Sequence, residues 1–194
     1  MEWMARVRSI LLKPKETWVG IKAEPATVSG LFSSYILILA AVPPAAQFVG
    51  RMLFRAQIPF ERVPVWSVSR ALSYAILAYA LSLVTVCILA FIIDALAPGF
   101  SSARNMTSAF KLVAYGLTPG WATGILNIFP ALHVVSLLGY VYGLYVLYLG
   151  FETPMMDTPK EKVMGYFGMS IIAALVLLFL GGLVLGGIFA FRVI

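Results

Sequence analysis

Apolar residues dominate five long stretches of this chain, 31–50, 71–97, 110–129, 131–151 and 170–191, with short polar or charged segments between them. A helix rises about 1.5 Å per residue, so roughly 20 mostly apolar residues cross a hydrocarbon core of about 30 Å. Each stretch therefore predicts a transmembrane helix. The third and fourth are separated only by "NIFP", where Pro130 suits the first turn of a following helix, and they predict a tight helical hairpin. The expected fold is all-α: a polytopic helical membrane bundle of five transmembrane helices over 29–194.

The preceding segment, 1–28, reads differently. Trp3, Met4, Val7, Ile10 and Leu11 recur at helical spacing, while Arg6 and Arg8 fall off that face. This predicts an N-terminal amphipathic helix lying in the membrane interface. Packing of the same face on the ends of the spans is the alternative. Arg6, Arg8, Lys13 and Lys15 interrupt any apolar run, and Pro14 follows, so a secretory signal peptide is not expected.

Composition supports the membrane reading. Charged residues make up 11% of the chain and hydrophobic residues 61%, against about 25% charged residues in an ordinary soluble domain. The net charge of +6 would suit nucleic acid, but the cations cluster just outside the apolar runs, as topology signals and lipid contacts do. Nucleic acid is therefore not an expected partner; the lipid bilayer is. With the N-terminus cytoplasmic, the inner segments hold Arg6, Arg8, Lys13, Lys15, Lys22, Arg104, Lys111, Lys160 and Lys162, and the outer ones Arg51, Arg55, Arg62, Arg70 and Arg192. That imbalance predicts the N-terminus inside and the C-terminus outside. The exception is loop 51–70, whose four arginines interleave with Phe54, Phe60 and Trp66. It predicts a segment on the outer interface or over the bundle.

Small residues set the expected packing. Gly116, Gly120 and Gly124 recur every four residues in "VAYGLTPGWATG" and form one stripe, with Thr123 and Asn127 close by. Gly139 and Gly143 repeat the spacing in the fourth stretch, and Gly182 and Gly186 in the fifth. Such stripes let helices approach closely. Four tyrosines, Tyr140, Tyr142, Tyr145 and Tyr148, crowd the fourth stretch at several depths, so some hydroxyls need partners inside the bundle.

Polar groups within the spans are the candidates for function. Pro119 has no N–H for the carbonyl of Tyr115, so a kink or opening is expected there, with Thr118 available to bond a freed carbonyl. Pro43 and Pro44 do the same in the first stretch. Asp94, Lys111 and Glu152 would gather at the inner face, as a salt-bridged lid or an ion mouth. His133, Ser136 and Tyr140 share a face in the fourth stretch. The chain has one histidine and one cysteine, Cys87, so neither an intrachain disulfide nor a metal centre is expected. No cofactor is implied. The sequence lacks H-E-x-x-H, G-x-S-x-G, P-loop and C-x-x-C motifs, and an enzyme is not expected.

Three stretches, "LLKPKETWVGIKAEP", "AFKLVAYGLTPGWATGILNIFPAL" and "YVYGLYVLYLGFETPMMDTPKEKVMGY", together resemble the Ypt/Rab-GTPase-interacting protein (Yip) family, and specifically its short bacterial-type members. The core from Tyr115 to Pro119 and the "TPKEK" turn carry most of the likeness. The resemblance implies a five-span helical membrane protein with a cytosolic N-terminus. Eukaryotic relatives associate with prenylated small GTPases and with one another, and they carry a long cytosolic N-terminal region. About 28 residues precede the first span here, so a small GTPase is not carried over as a partner. The expected function is a non-enzymatic scaffold or interaction module of the inner membrane that self-associates or binds other membrane proteins. The alternative is a small ion or solute transporter built on the third span.

Overall fold

The computed structural model describes residues 2–54, 66–153 and 155–190. Residues 55–65, with Arg55, Phe60 and Arg62, and residues 191–194, with Arg192, carry expectations above and lie outside these. Every regular element among the described residues is helical. In chain order these are α1 (Glu2–Leu12), α2 (Pro14–Ala23), α3 (Val28–Leu53), α4 (Val68–Leu96), α5 (Met106–Thr123), α6 (His133–Glu152) and α7 (Lys160–Ala190).

Local chemistry sets the boundaries. The side chains of Thr27, Ser67 and Asn105 accept hydrogen bonds from the backbone N–H groups of Gly30, Arg70 and Ser108, capping the starts of α3, α4 and α5. Pro14 occupies the first turn of α2, where its missing N–H costs nothing. Within α3 the ladder widens to a π-helical turn at Phe32–Ile36 and is interrupted at Ala41, just before Pro43 and Pro44. Both prolines thus sit at the start of a fresh helical segment, Val42–Leu53. Pro119 does not break α5, which stays helical from Met106 to Thr123 and then tightens into 3-10 turns through Ile128. The α5–α6 hairpin forms at the expected "NIFP" turn. α7 begins at Lys160 rather than near 170, because Tyr166 and Val163 pack into the core beside Phe100 and Phe151.

Four segments are long and apolar enough to cross a membrane: Val28–Leu53, Val68–Phe100, Pro130–Glu152 and Lys160–Phe189. The third expected span, now α5, is not among them. The reason is its place in the bundle. It lies between α1, α3, α4 and α6, and its residues are buried without interruption from Ala109 to Gly116 and from Thr118 to Trp121. A helix surrounded by protein needs no continuous apolar surface, so it carries Lys111, Thr118 and two glycines. α7 is the opposite case. The most apolar window of that segment has no buried residue, and Leu175, Phe179 and Leu183 are exposed.

The N-terminal helices fold back onto one end of the bundle. The α1 face assigned to the membrane interface packs Trp3, Val7 and Ile10 against the bundle core, leaving Met4 exposed. Trp18 and Ile21 of α2 are each 1% exposed.

Candidate functional site

A buried polar region follows from helical spacing on α5. Lys111, Tyr115 and Thr118 lie four and three residues apart, hence on one face, and that face meets α1, α2 and the start of α3. The Lys111 ammonium donates to the carbonyl oxygens of Ile21 at 2.8 Å and Glu24 at 2.7 Å. These carbonyls belong to the carboxyl end of α2, where a helix leaves acceptors unpaired and its dipole favours a cation. The buried lysine is thus a cap supplied by another helix.

Four residues on, the Tyr115 ring is contacted edge-on by Trp18 (centroids 6.0 Å apart) and Tyr35 (5.1 Å). The Arg6 guanidinium sits 5.8 Å from the Tyr115 ring centre and is ion-paired to Glu24. Burial works against the Arg6 charge, but the bond to Glu24 and its negative charge outweigh this and raise the Arg6 pKa above its ordinary value. One turn deeper, Thr118 donates its hydroxyl proton to the carbonyl of Ala114 at 2.9 Å. It must therefore accept from the Tyr35 hydroxyl, 2.7 Å away. Above this floor, between α1 and the start of α3, opens a cavity of about 1320 Å³. Trp18, against the Tyr115 ring, donates its indole N–H to the carbonyl of Val146 at 2.8 Å.

The other face of α5 is closed. A Cβ added at Gly116 would meet Leu147, at Gly120 the Tyr140 ring, and at Gly124 Pro43. Reciprocally, one at Gly143 would lie 2.6 Å from the Gly116 carbonyl, and one at Gly139 1.9 Å from the Thr123 hydroxyl. Thr123 donates to the carbonyls of Pro119 and Ser136 at 2.9 and 3.0 Å, and Ser136 donates to Asn127 Oδ1 at 2.7 Å. Gly182 and Gly186 on α7 have no atom within 4 Å of such a Cβ.

The remaining sequence candidates are dispersed. Asp94 is 4% exposed and binds Arg104 through one oxygen, at 2.8 and 3.0 Å. Glu152 is exposed, and Lys111 binds backbone carbonyls, so Asp94, Lys111 and Glu152 form no common cluster. His133 is exposed at the start of α6, while Ser136 is buried and Tyr140 lies against Gly120. Sequence reasoning missed Arg6, Trp18, Glu24 and Tyr35 as members of the polar region. Their partners lie on other helices, up to 128 residues away, and no local pattern reports such pairings.

A bundle whose polar helix is wrapped by helices with long apolar outer faces is a polytopic helical membrane protein. The Yip1 domain model matches residues 8–185, and the chain belongs to the Yip1 family, as the resemblance implied. The chain is 25% identical over 166 residues to the inner membrane protein YohC of Escherichia coli strain K12, covering 84% of this chain and 85% of the relative. The same values hold for YohC of Escherichia coli O6:H1 strain CFT073. No solved structure matches.

Proposed function

We propose that this protein is a non-enzymatic scaffold of the bacterial inner membrane, spanning it five times with a cytoplasmic N-terminus and associating with itself or other membrane proteins. The observation that carries the reading is the filling of the glycine stripe along α5 and the 3-10 turn after it by Leu147, Tyr140 and Pro43. A conducting path along α5 would need a wet, continuous lumen, and the packing of these side chains supports a dry core instead. α5 serves as the fifth span because it is enclosed by the other helices. The inner membrane location of the YohC relatives supports the same location here. Self-association is assigned to α7, whose open Gly182 and Gly186 face leaves space for a second helix.

Single-molecule photobleaching in lipid bilayers tests the association. Multi-step traces should grow with protein density, and Gly182→Leu with Gly186→Leu should return single steps. Monomers at every density would sink the self-association. Ion or solute flux in proteoliposomes, lowered by Pro119→Ala, would favour transport and displace the scaffold reading.

A further inference from the structure

The cavity between α1 and the start of α3 is a built compartment with its own chemistry. Trp3, Leu31, Tyr35 and Tyr115 line it, the last three buried and Trp3 partly exposed. Tyr35 lies seven residues beyond the start of α3, so at ~1.5 Å per residue it is about 10 Å deeper than the helix end. The compartment therefore runs from headgroup level toward the acyl region of whichever leaflet faces the N-terminus. Its volume, about 1320 Å³, exceeds the ~300–1,000 Å³ of an ordinary small-molecule pocket.

Its polar groups select among headgroups. Arg6 offers a guanidinium, and Glu24 a carboxylate, with side chains 25% and 49% exposed. The Ser9 and Ser34 hydroxyls spend their protons on the carbonyls of Arg6 and Gly30, at 2.9 and 2.7 Å. What they turn toward an occupant is lone pairs. Such acceptors and a carboxylate suit an N–H donor, while the guanidinium suits a phosphate. Arg6 and Glu24 already pair with each other, and an occupant that brings both charges replaces both halves of that pair.

We propose that this cavity binds the headgroup of a phospholipid bearing a primary ammonium beside its phosphate, of the ethanolamine type. The phosphate meets Arg6, the ammonium meets Glu24, Ser9 and Ser34, and the glycerol and upper chains leave past Trp3. A choline headgroup carries its charge without an N–H to donate. A glycerol headgroup has no positive charge for Glu24.

Native mass spectrometry of the purified full chain tests this, in mixed micelles with equimolar ethanolamine, choline and glycerol phospholipids. Lipid adducts are counted per chain, so the result does not depend on whether the chain self-associates. The ethanolamine lipid should be retained about tenfold over each of the others, corresponding to ~1.4 kcal/mol of selectivity. Glu24→Gln should bring it down to the choline level, and this variant keeps the backbone carbonyl that Lys111 binds. Arg6→Gln should lower retention of all three lipids. Arg8→Gln, exposed on the same helix, should match the wild type. Equal retention of the three lipids, dominance of the glycerol lipid, or unchanged selectivity in a folded Glu24→Gln variant would each overturn the proposal.

Discussion

The ammonium of Lys111 lies 2.7 Å from the carbonyl oxygen of Glu24 and bonds the Ile21 carbonyl as well. One side chain from the most buried helix thereby ends α2 and fixes the N-terminal helices to the bundle. Lys111→Met keeps the aliphatic stem and removes the donor. An unsatisfied buried acceptor costs about 1–3 kcal/mol, so amide hydrogen exchange in α2 should accelerate by roughly tenfold or more while α6 is unchanged. Equal protection of α2 in variant and wild type would refute the capping role.

Glycines at one spacing should differ sharply in tolerance. Gly139→Ala drives a Cβ into Thr123 and the Pro119 carbonyl, while Gly182→Ala meets nothing within 4 Å. Overpacking typically costs about 1–3 kcal/mol, and an unobstructed surface change stays within about 0.5 kcal/mol. Thermal unfolding in detergent should rank Gly139→Ala well below Gly182→Ala, and equal midpoints would contradict the packing.

The Asp94–Arg104 pair is asymmetric: the Asp94 side chain is 5% exposed and that of Arg104 58%. Arg104→Ala leaves a buried carboxylate without its cation, whereas Asp94→Asn leaves a guanidinium that water can solvate. Arg104→Ala should therefore be the more destabilising single change, by about 1 kcal/mol or more. Asp94→Asn should recover most of that loss when combined with it. A double-mutant cycle on thermal midpoints measures both, and a costlier Asp94→Asn would reverse the assignment.

The hydrogen bond between Tyr35 and Thr118 has a direction, because the Thr118 proton is already given to the Ala114 carbonyl. Tyr35→Phe removes only the donor, for about 1 kcal/mol. Thr118→Val strands a buried tyrosine hydroxyl and should cost about 1–3 kcal/mol. Denaturation in mild detergent should show that order, and similar losses from the two would argue against the direction.

Hydropathy alone determined that the chain is a helical membrane protein, because the need to satisfy backbone groups in lipid leaves few other solutions. It also located the tight hairpin at "NIFP", since a proline and two adjacent apolar runs specify that turn locally. The Yip1 relationship was legible in the same way, in contiguous motifs such as Tyr115 to Pro119. Which helix occupies the centre was not legible. The third stretch reads as one span among five, and only the packing shows Lys111, Tyr115 and Thr118 enclosed by protein. The N-terminal face was equally ambiguous, because an apolar stripe fits a lipid interface or a bundle surface, and the contacts of Trp3, Val7 and Ile10 chose the bundle. The polar region joins residues 6, 24, 35, 111, 115 and 118. Side chains so far apart in sequence become neighbours only when helices cross, and that geometry is a property of the tertiary structure.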